Sequence, residues 1–365
     1  MSTTVKFNNA SRTRFLATAR KRVDQYFKES GKTRNATAGM WAKTIFFLGG
    51  FFGLYALIIS GMFSVWGMLP LAILLGMFSA FVGFNICHDA IHGSFSSGKT
   101  MNSIFGRLFH LLGANPYVWS ITHNIVHHTY TNIPGHDEDI DIAPGLIRIS
   151  EEEPAKKIQR FQHWYAFPLY SLASLSWAFR KDYKKFFQPR VGHLETKHPK
   201  KEYFNLFFYK AVYYFLFLVL PLLVLNITWW QLIIGFFALH IAQGLTMGLV
   251  FQLAHVVEGT DFPVPSNNGN MEEAWAEHQM RTTANFATHS PVAAFFLGGL
   301  NRQIEHHLFP KICHIHYGKI GRIIKETAAE FNLPYNESPT FFSALRSHFR
   351  ILKKFSRQAS LKPAV

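Results

Sequence analysis

The sequence predicts an all-α integral membrane protein: four transmembrane helices in two hairpins, with a cytosolic helical cap that carries a metal site. Three observations predict it. Apolar residues make up 48% of the 365, 37 of them Phe, and they are blocked rather than spread. Thr44 to Cys87 contains no Asp, Glu, Lys, Arg or His, and Ala211 to Val257 has no candidate charge but His240 and His255. Outside these blocks, seven of the 19 histidines fall into three short boxes.

Residues 1–43 carry ten Lys or Arg among scattered Phe, Val and Leu, which reads as a basic cytosolic arm or interfacial helix. No secretory signal is visible there. The first block, as one helix, would be about 66 Å long, roughly twice the hydrocarbon thickness. It therefore divides into spans of about 44–62 and 68–87, turning near Phe63-Ser-Val-Trp-Gly67 with Trp66 at the interface. The second divides into 211–225 and 231–255, turning at Asn226-Ile-Thr-Trp-Trp230. Two further apolar patches, Ile104 to Ile121 and His163 to Phe179, read as interfacial helices, since a crossing by the second would put the third box on the opposite face from the other two. Gly318 to Phe331 reads as an amphipathic helix and residues 331–365 as a cytosolic tail, loose and basic over its last dozen residues.

With four spans all 37 Lys and Arg lie on one side and neither turn carries charge, which places both termini and the boxes in the cytosol. The formal charge of +15 fits anionic head groups, an acidic protein partner or an acidic substrate head. Nucleic acid is the weaker partner, because no recognition motif accompanies the charge. Cys87 and Cys313 form no Cys-x-x-Cys pair, which argues against a disulfide framework or thiolate site.

The boxes carry the chemistry. His88-Asp-Ala-Ile-His92 sets two imidazoles at i, i+4; His123-Asn-Ile-Val-His-His128 sets three at i, i+4 and i+5; Gln303-Ile-Glu-His-His307 sets an amide and two imidazoles on neighbouring turns. On an α-helix His123 and His127 share a face and can reach one ion, with His128 about a quarter-turn away. A lone HxxxH is weak, and a structural zinc needs only about four ligands, usually including Cys. Three boxes hold too many nitrogens for one ion and point to two, with imidazole suiting iron, copper, zinc or nickel.

At these residues the chain resembles the membrane fatty acid desaturase family, whose signature is three histidine boxes separated by paired membrane helices. HDAIH, HNIVHH and QIEHH stand here, flanked by HGSFS, HHTYTNIPGHDEDID and QIEHHLFP, and the likeness covers roughly residues 45–330. It implies a desaturase domain over about 44–330. Its site would be a non-haem diiron centre, two Fe ions held by His88, His92, His123, His127, His128, His255, His306 and His307. The reaction implied uses O₂ and two electrons to take two hydrogens from adjacent methylenes of an acyl chain, leaving a cis double bond and water. The substrate would be an acyl-CoA or acyl-lipid, and a third box beginning with Gln is nearest to acyl-CoA and acyl-lipid desaturases, including the front-end type.

His255 joins the ligands because the family places a histidine where the second hairpin emerges. Gln303 stands where many members carry His, so its amide binds directly, through water, or not at all. Asp89, Asp137, Glu138, Asp139 and Asp141 are candidates to orient imidazole N–H groups, or are solvated charges. His240 reads as a hydrogen-bonded interior or tunnel histidine; His136, His278, His289, His314 and His316 are assigned to the surroundings of the site or to the surface. Without a His-Pro-Gly-Gly haem motif, electrons are expected from a separate ferredoxin or cytochrome b5 type donor. A membrane diiron hydroxylase shares the boxes, though the HHTYTN and QIEHHLFP flanks favour desaturation. A metal transporter or membrane haem protein would need ligands near the bilayer midplane, whereas these lie at helix exits. Bacterial inner membrane and endoplasmic reticulum fit equally.

Overall fold

The computed structural model of the chain describes residues 5–8, 14–140, 143–151, 153–191 and 194–361, the last three by backbone alone. These residues are mostly helical. In chain order come α1 (Arg14–Ser30), α2 (Ala38–Ile59), α3 (Val65–Ile91), α4 (Lys99–Arg107), α5 (116–130), α6 (Gln162–Ser171), α7 (173–187), α8 (Lys200–Val224) and α9 (Trp229–His255). Then follow α10 (Trp275–Thr282), α11 (Pro291–Phe296), α12 (Gln303–Leu308), α13 (Tyr317–Glu330) and α14 (Phe341–Leu361). Two sheets are minimal: β1 (Arg190–Val191) runs antiparallel to β2 (Leu194–Glu195), and β3 (Asn285–Phe286) parallel to β4 (Glu337–Ser338).

Helices α2, α3, α8 and α9, of 22, 27, 25 and 27 residues, are long and apolar enough to cross a membrane. Each begins earlier than the charge-free blocks indicate: α2 at Ala38 rather than Thr44, α3 at Val65 rather than Met68, α8 at Lys200 rather than Ala211, and α9 at Trp229 rather than Gln231. Their ends differ too, α2 stopping at Ile59 and α3 running on to Ile91. For α2 and α8 the physical reason is that cations are admitted where protein partners meet them. Lys43, buried in α2, donates to the Ala294 carbonyl at 3.1 Å and to His314 Nε2 at 3.0 Å. Lys210, buried in α8, pairs with Asp182 at 2.8 Å and donates to the carbonyls of Gly113 and Trp177. Asp182 also accepts the Asn115 backbone N–H at 2.7 Å. Removing Lys210 alone would strand that carboxylate, at about 3–5 kcal/mol.

The turns between the long helices are chemically explicit. Ser64 Oγ caps α3 by accepting the Gly67 N–H, and Thr228 with Gln231 forms a capping box at α9. At the crossing of α3 and α9 a Cβ on Gly76 would collide with the Leu239 carbonyl, and where α6 meets α9 a Cβ on Gly244 would collide with that of Ser171. This second crossing accounts for residues 163–179: they are two helices broken at Leu172, packed along α9, and not one of the four long apolar helices.

Near both ends of the chain the described residues form docked helices where the sequence indicates a surface arm and a loose tail. Phe15, Ala19, Val23 and Phe27 of α1, at every fourth residue, are buried, and the three larger ones pack in a cluster with Ile320, Ile324 and Ala328 of α13 and Ile304 of α12. The expected basic arm is thus a docked helix, latched by Arg22 to Glu330 at 2.8 Å. The expected tail is likewise a helix: α14 buries Ala344, His348, Leu352 and Phe355. Its charged positions had concealed a continuous apolar stripe.

Candidate metal centre

The second box owes its geometry to a π-helical turn, and another such turn leads into the first. Residues 83–87 close with the His88 N–H on the Gly83 carbonyl, and residues 120–127 with the His128 N–H on the His123 carbonyl, both i→i+5 bonds. Such a turn brings residue i+5 back over residue i. His128 therefore stands over His123, ring centroids 4.9 Å apart, instead of a quarter-turn away. The wider turn also separates the i, i+4 pair: His123 and His127 stack at 5.0 Å but join different clusters, not one shared ion position.

Ligand atoms of His88, His92, His123 and His306 lie within 4.8 Å of one another, and those of His127, His255 and His307 do the same. His128 bridges the two groups, its ring 4.8 Å from His92, 4.6 Å from His306 and 4.4 Å from His307. The eight imidazoles named from sequence are thus brought together where α3 and α9 end. Gln303, buried at the start of α12, has an Oε1 with no hydrogen-bond partner among the described residues.

The donor set fits metal ions. All eight imidazoles have a buried Nε2 without a hydrogen-bond partner among the described residues, an arrangement that is costly unless another group meets those lone pairs. For several, the other nitrogen is held. His123 Nδ1 donates to Asp139 at 3.1 Å, His127 Nδ1 to Asp137 at 2.9 Å, His307 Nδ1 to Gln279 Oε1 at 2.7 Å and His255 Nδ1 to the Thr282 carbonyl at 3.4 Å. A proton fixed on Nδ1 leaves the Nε2 lone pair free, the tautomer that binds a metal. His306 Nδ1 meets the Tyr317 hydroxyl at 3.2 Å.

Burial, reinforced by the neighbouring imidazoles, lowers the proton affinity of His92, His123, His128, His306 and His307 well below the ordinary value, which favours the neutral, ligating form. His127 differs. Burial lowers it most, but the carboxylates of Asp137 and Asp139 together more than reverse this, and its proton affinity is raised.

The carboxylates divide by partner. Asp137 and Asp139 orient imidazoles, as the sequence allowed. Glu138 pairs with Lys185, and Asp89 turns to His314, accepting its Nδ1–H at 2.8 Å and standing 3.9 Å from His88 Nδ1. Asp141 lies outside the described residues. The close trio of Asp89, Cys313 and His314 is occupied by its own hydrogen bonds and by Lys43, a poor setting for a cation. His240 is an interior histidine, bonded to Ser174 and Tyr213; His278 meets the Thr131 carbonyl, His316 that of Asn35, and His136 that of Pro134, while His289 is exposed.

Sequence reasoning missed Gln279, Thr131 and Tyr317. Gln279 in α10 accepts from His307 and from Thr131 and donates to the His128 carbonyl at 3.3 Å, so one amide ties two boxes. No local pattern marks it, for it stands 28 residues from the histidine it holds.

His88 also lines a small apolar cavity with Phe109, Leu112 and Trp119. A second cavity shares Trp119, Trp177, Met247 and Phe251 with it and reaches Ser176, Asp139 and Lys181. A larger apolar cleft lies by the turns at the far ends of the long helices, between Tyr55, Trp66, Phe217 and Trp230, remote from the imidazoles.

Residues 64–339 match the family model of the fatty acid desaturases. The chain belongs to the fatty acid desaturase family. An sn-1 linoleoyl-lipid 6-desaturase of Synechocystis sp. is 36% identical over 94% of this chain and 96% of that protein. Another from Arthrospira platensis is 33% identical over 97% and 96%. An acyl-lipid (8-3)-desaturase of Physcomitrium patens is 35% identical over 96% of this chain and 73% of that protein. The desaturase is an oxidoreductase acting on fatty acyl chains, with apolar helices that suit a membrane and histidine clusters that suit a metal site.

Proposed function

We propose that this desaturase inserts a cis double bond into the acyl chain of a membrane lipid, using O₂, at a pair of iron ions, with electrons from a separate ferredoxin or cytochrome b5 type donor. The observation that carries the reading is the pair of imidazole clusters, with their unpartnered buried Nε2 atoms, beside an apolar cavity lined by His88. His88, His92, His123 and His306 would hold one ion and His127, His255 and His307 the other, with His128 between them and Gln303 as a further oxygen donor. Bound iron would supply an oxidant strong enough for an unactivated C–H bond, which no side chain can provide.

The chain's own residues do the rest. Asp137, Asp139, Gln279 and the Thr282 carbonyl hold Nδ1 protons in place, which fixes ring orientation and keeps Nε2 basic. Trp119, Phe251 and Met247 line an apolar path that excludes water and lays a methylene chain beside His88. Per turnover, two hydrogens leave adjacent methylenes and the two oxygen atoms leave as water, with two electrons and two protons taken up.

Membrane insertion of α2 with α3 and α8 with α9 as two hairpins places the imidazoles at helix exits on one face. Charge assigns that face, with both termini, to the cytosol, in a bacterial inner membrane or endoplasmic reticulum. The desaturase domain then spans about 44–330, with α1 and α14 as flanking elements docked onto it. Acyl-lipid substrates are favoured over acyl-CoA by the names of the relatives. Expression in a host of known lipid composition, followed by mass spectrometry of each lipid class, tests this: a new double bond in lipid-linked acyl chains is expected, and a lipid profile identical to a His123→Ala control would overturn it.

A further inference from the structure

Lys181 ends a third π-helical turn, Trp177–Lys181, and among the described residues is the only cationic side chain lining either cavity beside the imidazoles. Its Nζ lies 3.2 Å from Asp139 Oδ1 and sits over the Trp177 ring at 5.9 Å, with the side chain 28% exposed. The other oxygen of the same carboxylate accepts from His123 Nδ1 at 3.1 Å. An ammonium has three donors, and one carboxylate oxygen uses one of them. With Asp139 and Ser176, Lys181 lines a cavity whose other walls include Trp119, Trp177, Met247 and Phe251.

We propose that Lys181 binds the ester carbonyl at the carboxyl end of the lipid-linked acyl chain and thereby sets which methylenes are desaturated. The inference rests on the acyl-lipid reading above. Its geometry limits the outcome. Contacts of 3.2 and 3.1 Å bracket one carboxylate. With a carboxylate and an imidazole each about 2.2 Å across, Lys181 Nζ is no more than about 11 Å from His123 Nε2. An extended chain advances roughly 1.3 Å per methylene, so the carbons that reach the imidazoles fall within about the first ten from the carbonyl. Position is then counted from the carboxyl end, by a fixed cation, and the methyl end takes up whatever length remains.

The test uses the full-length, iron-loaded protein in vesicles of a glycerolipid carrying a single defined acyl chain, with a reduced ferredoxin as donor, and maps double bonds by mass spectrometry. Wild-type protein and Lys181→Arg should each place the bond at one position within the first ten or so carbons. Lys181→Met should spread product over neighbouring positions and raise the lipid concentration for half-maximal rate by about tenfold, the loss of one charge-assisted hydrogen bond. A purely structural ion pair would lower yield without moving the bond, so a single unchanged position in Lys181→Met overturns the inference at any yield. If that variant makes no product, wild-type protein on chains of 16, 18 and 20 carbons decides: a constant count from the carboxyl end supports the inference, and a constant count from the methyl end overturns it. Absence of any double bond from wild-type protein would instead refute the acyl-lipid reading beneath it.

Discussion

Asp137 shows at the scale of one residue how the site is held ready. Its Oδ2 accepts both the His127 Nδ1–H at 2.9 Å and the Asn132 backbone N–H at 2.9 Å, while Oδ1 accepts the Asp139 N–H at 3.0 Å. One carboxylate thus sets an imidazole and the loop that follows it. Asp137→Asn keeps the size but removes the charge that supports His127, and groups of this kind typically contribute 10–100-fold to metal affinity or activity. We predict a loss in that range, with protein yield and helix content near wild type, measured as iron retained against a graded chelator. Iron retention equal to wild type would show that Asp137 serves the loop alone. The residue scale is also where sequence was most and least informative. His88, His92, His123, His127, His128, His306 and His307 announce themselves by spacing within a few residues. Gln279, Lys43 and Lys210 do not, because each acquires its role only from partners far along the chain.

At the scale of elements, the π-turn of the second box explains why His123 and His127, expected to share one ion position, stand in different clusters. An i→i+5 bond is a property of backbone geometry that composition does not reveal, and it moves His128 over His123. The ends of the chain teach the complementary lesson: α1 and α14 carry many charges, and only their apolar stripes, spaced at three and four residues, mark them as docked. His348 makes the docking of α14 pH-dependent. Its Nδ1–H donates to the Val256 carbonyl at 2.6 Å, its Nε2 accepts the Tyr170 hydroxyl at 3.0 Å, and burial pulls its pKa from 6.5 down to about 4. A depressed histidine binds its proton more readily when released, so its contribution to docking is complete above about 6.5 and is lost as pH falls through about 4. Hydrogen-exchange protection over 341–361, with the intrinsic pH dependence of exchange divided out, should therefore fall between pH 7 and pH 4.5, and the change should shrink in His348→Gln. Equal protection at both pH values would remove His348 from the account.

For the whole molecule, the two charge-free blocks were sufficient to count four helices long and apolar enough to cross a membrane, because a bilayer core tolerates few uncompensated charges. They were insufficient to bound them, since buried lysines with protein partners, Lys43 hydrogen-bonded and Lys210 ion-paired, extend α2 and α8 beyond the blocks. The arrangement requires all three boxes on one membrane face, whatever the boundaries. Reporters at residues 65 and 228 should read outside, and those at 150 and 340 inside; opposite readings at 150 and 340 would separate the third box from the second and dissolve the site. The central claim, a two-ion iron centre with its ligands divided between two clusters, is tested most directly by counting metal in purified full-length protein and in one variant from each cluster. The account predicts about two irons per chain in the wild type and about one in His92→Ala and in His255→Ala, with each variant still inserted in the membrane. A single zinc with no iron in the wild-type protein, or two irons retained in both variants, would contradict it.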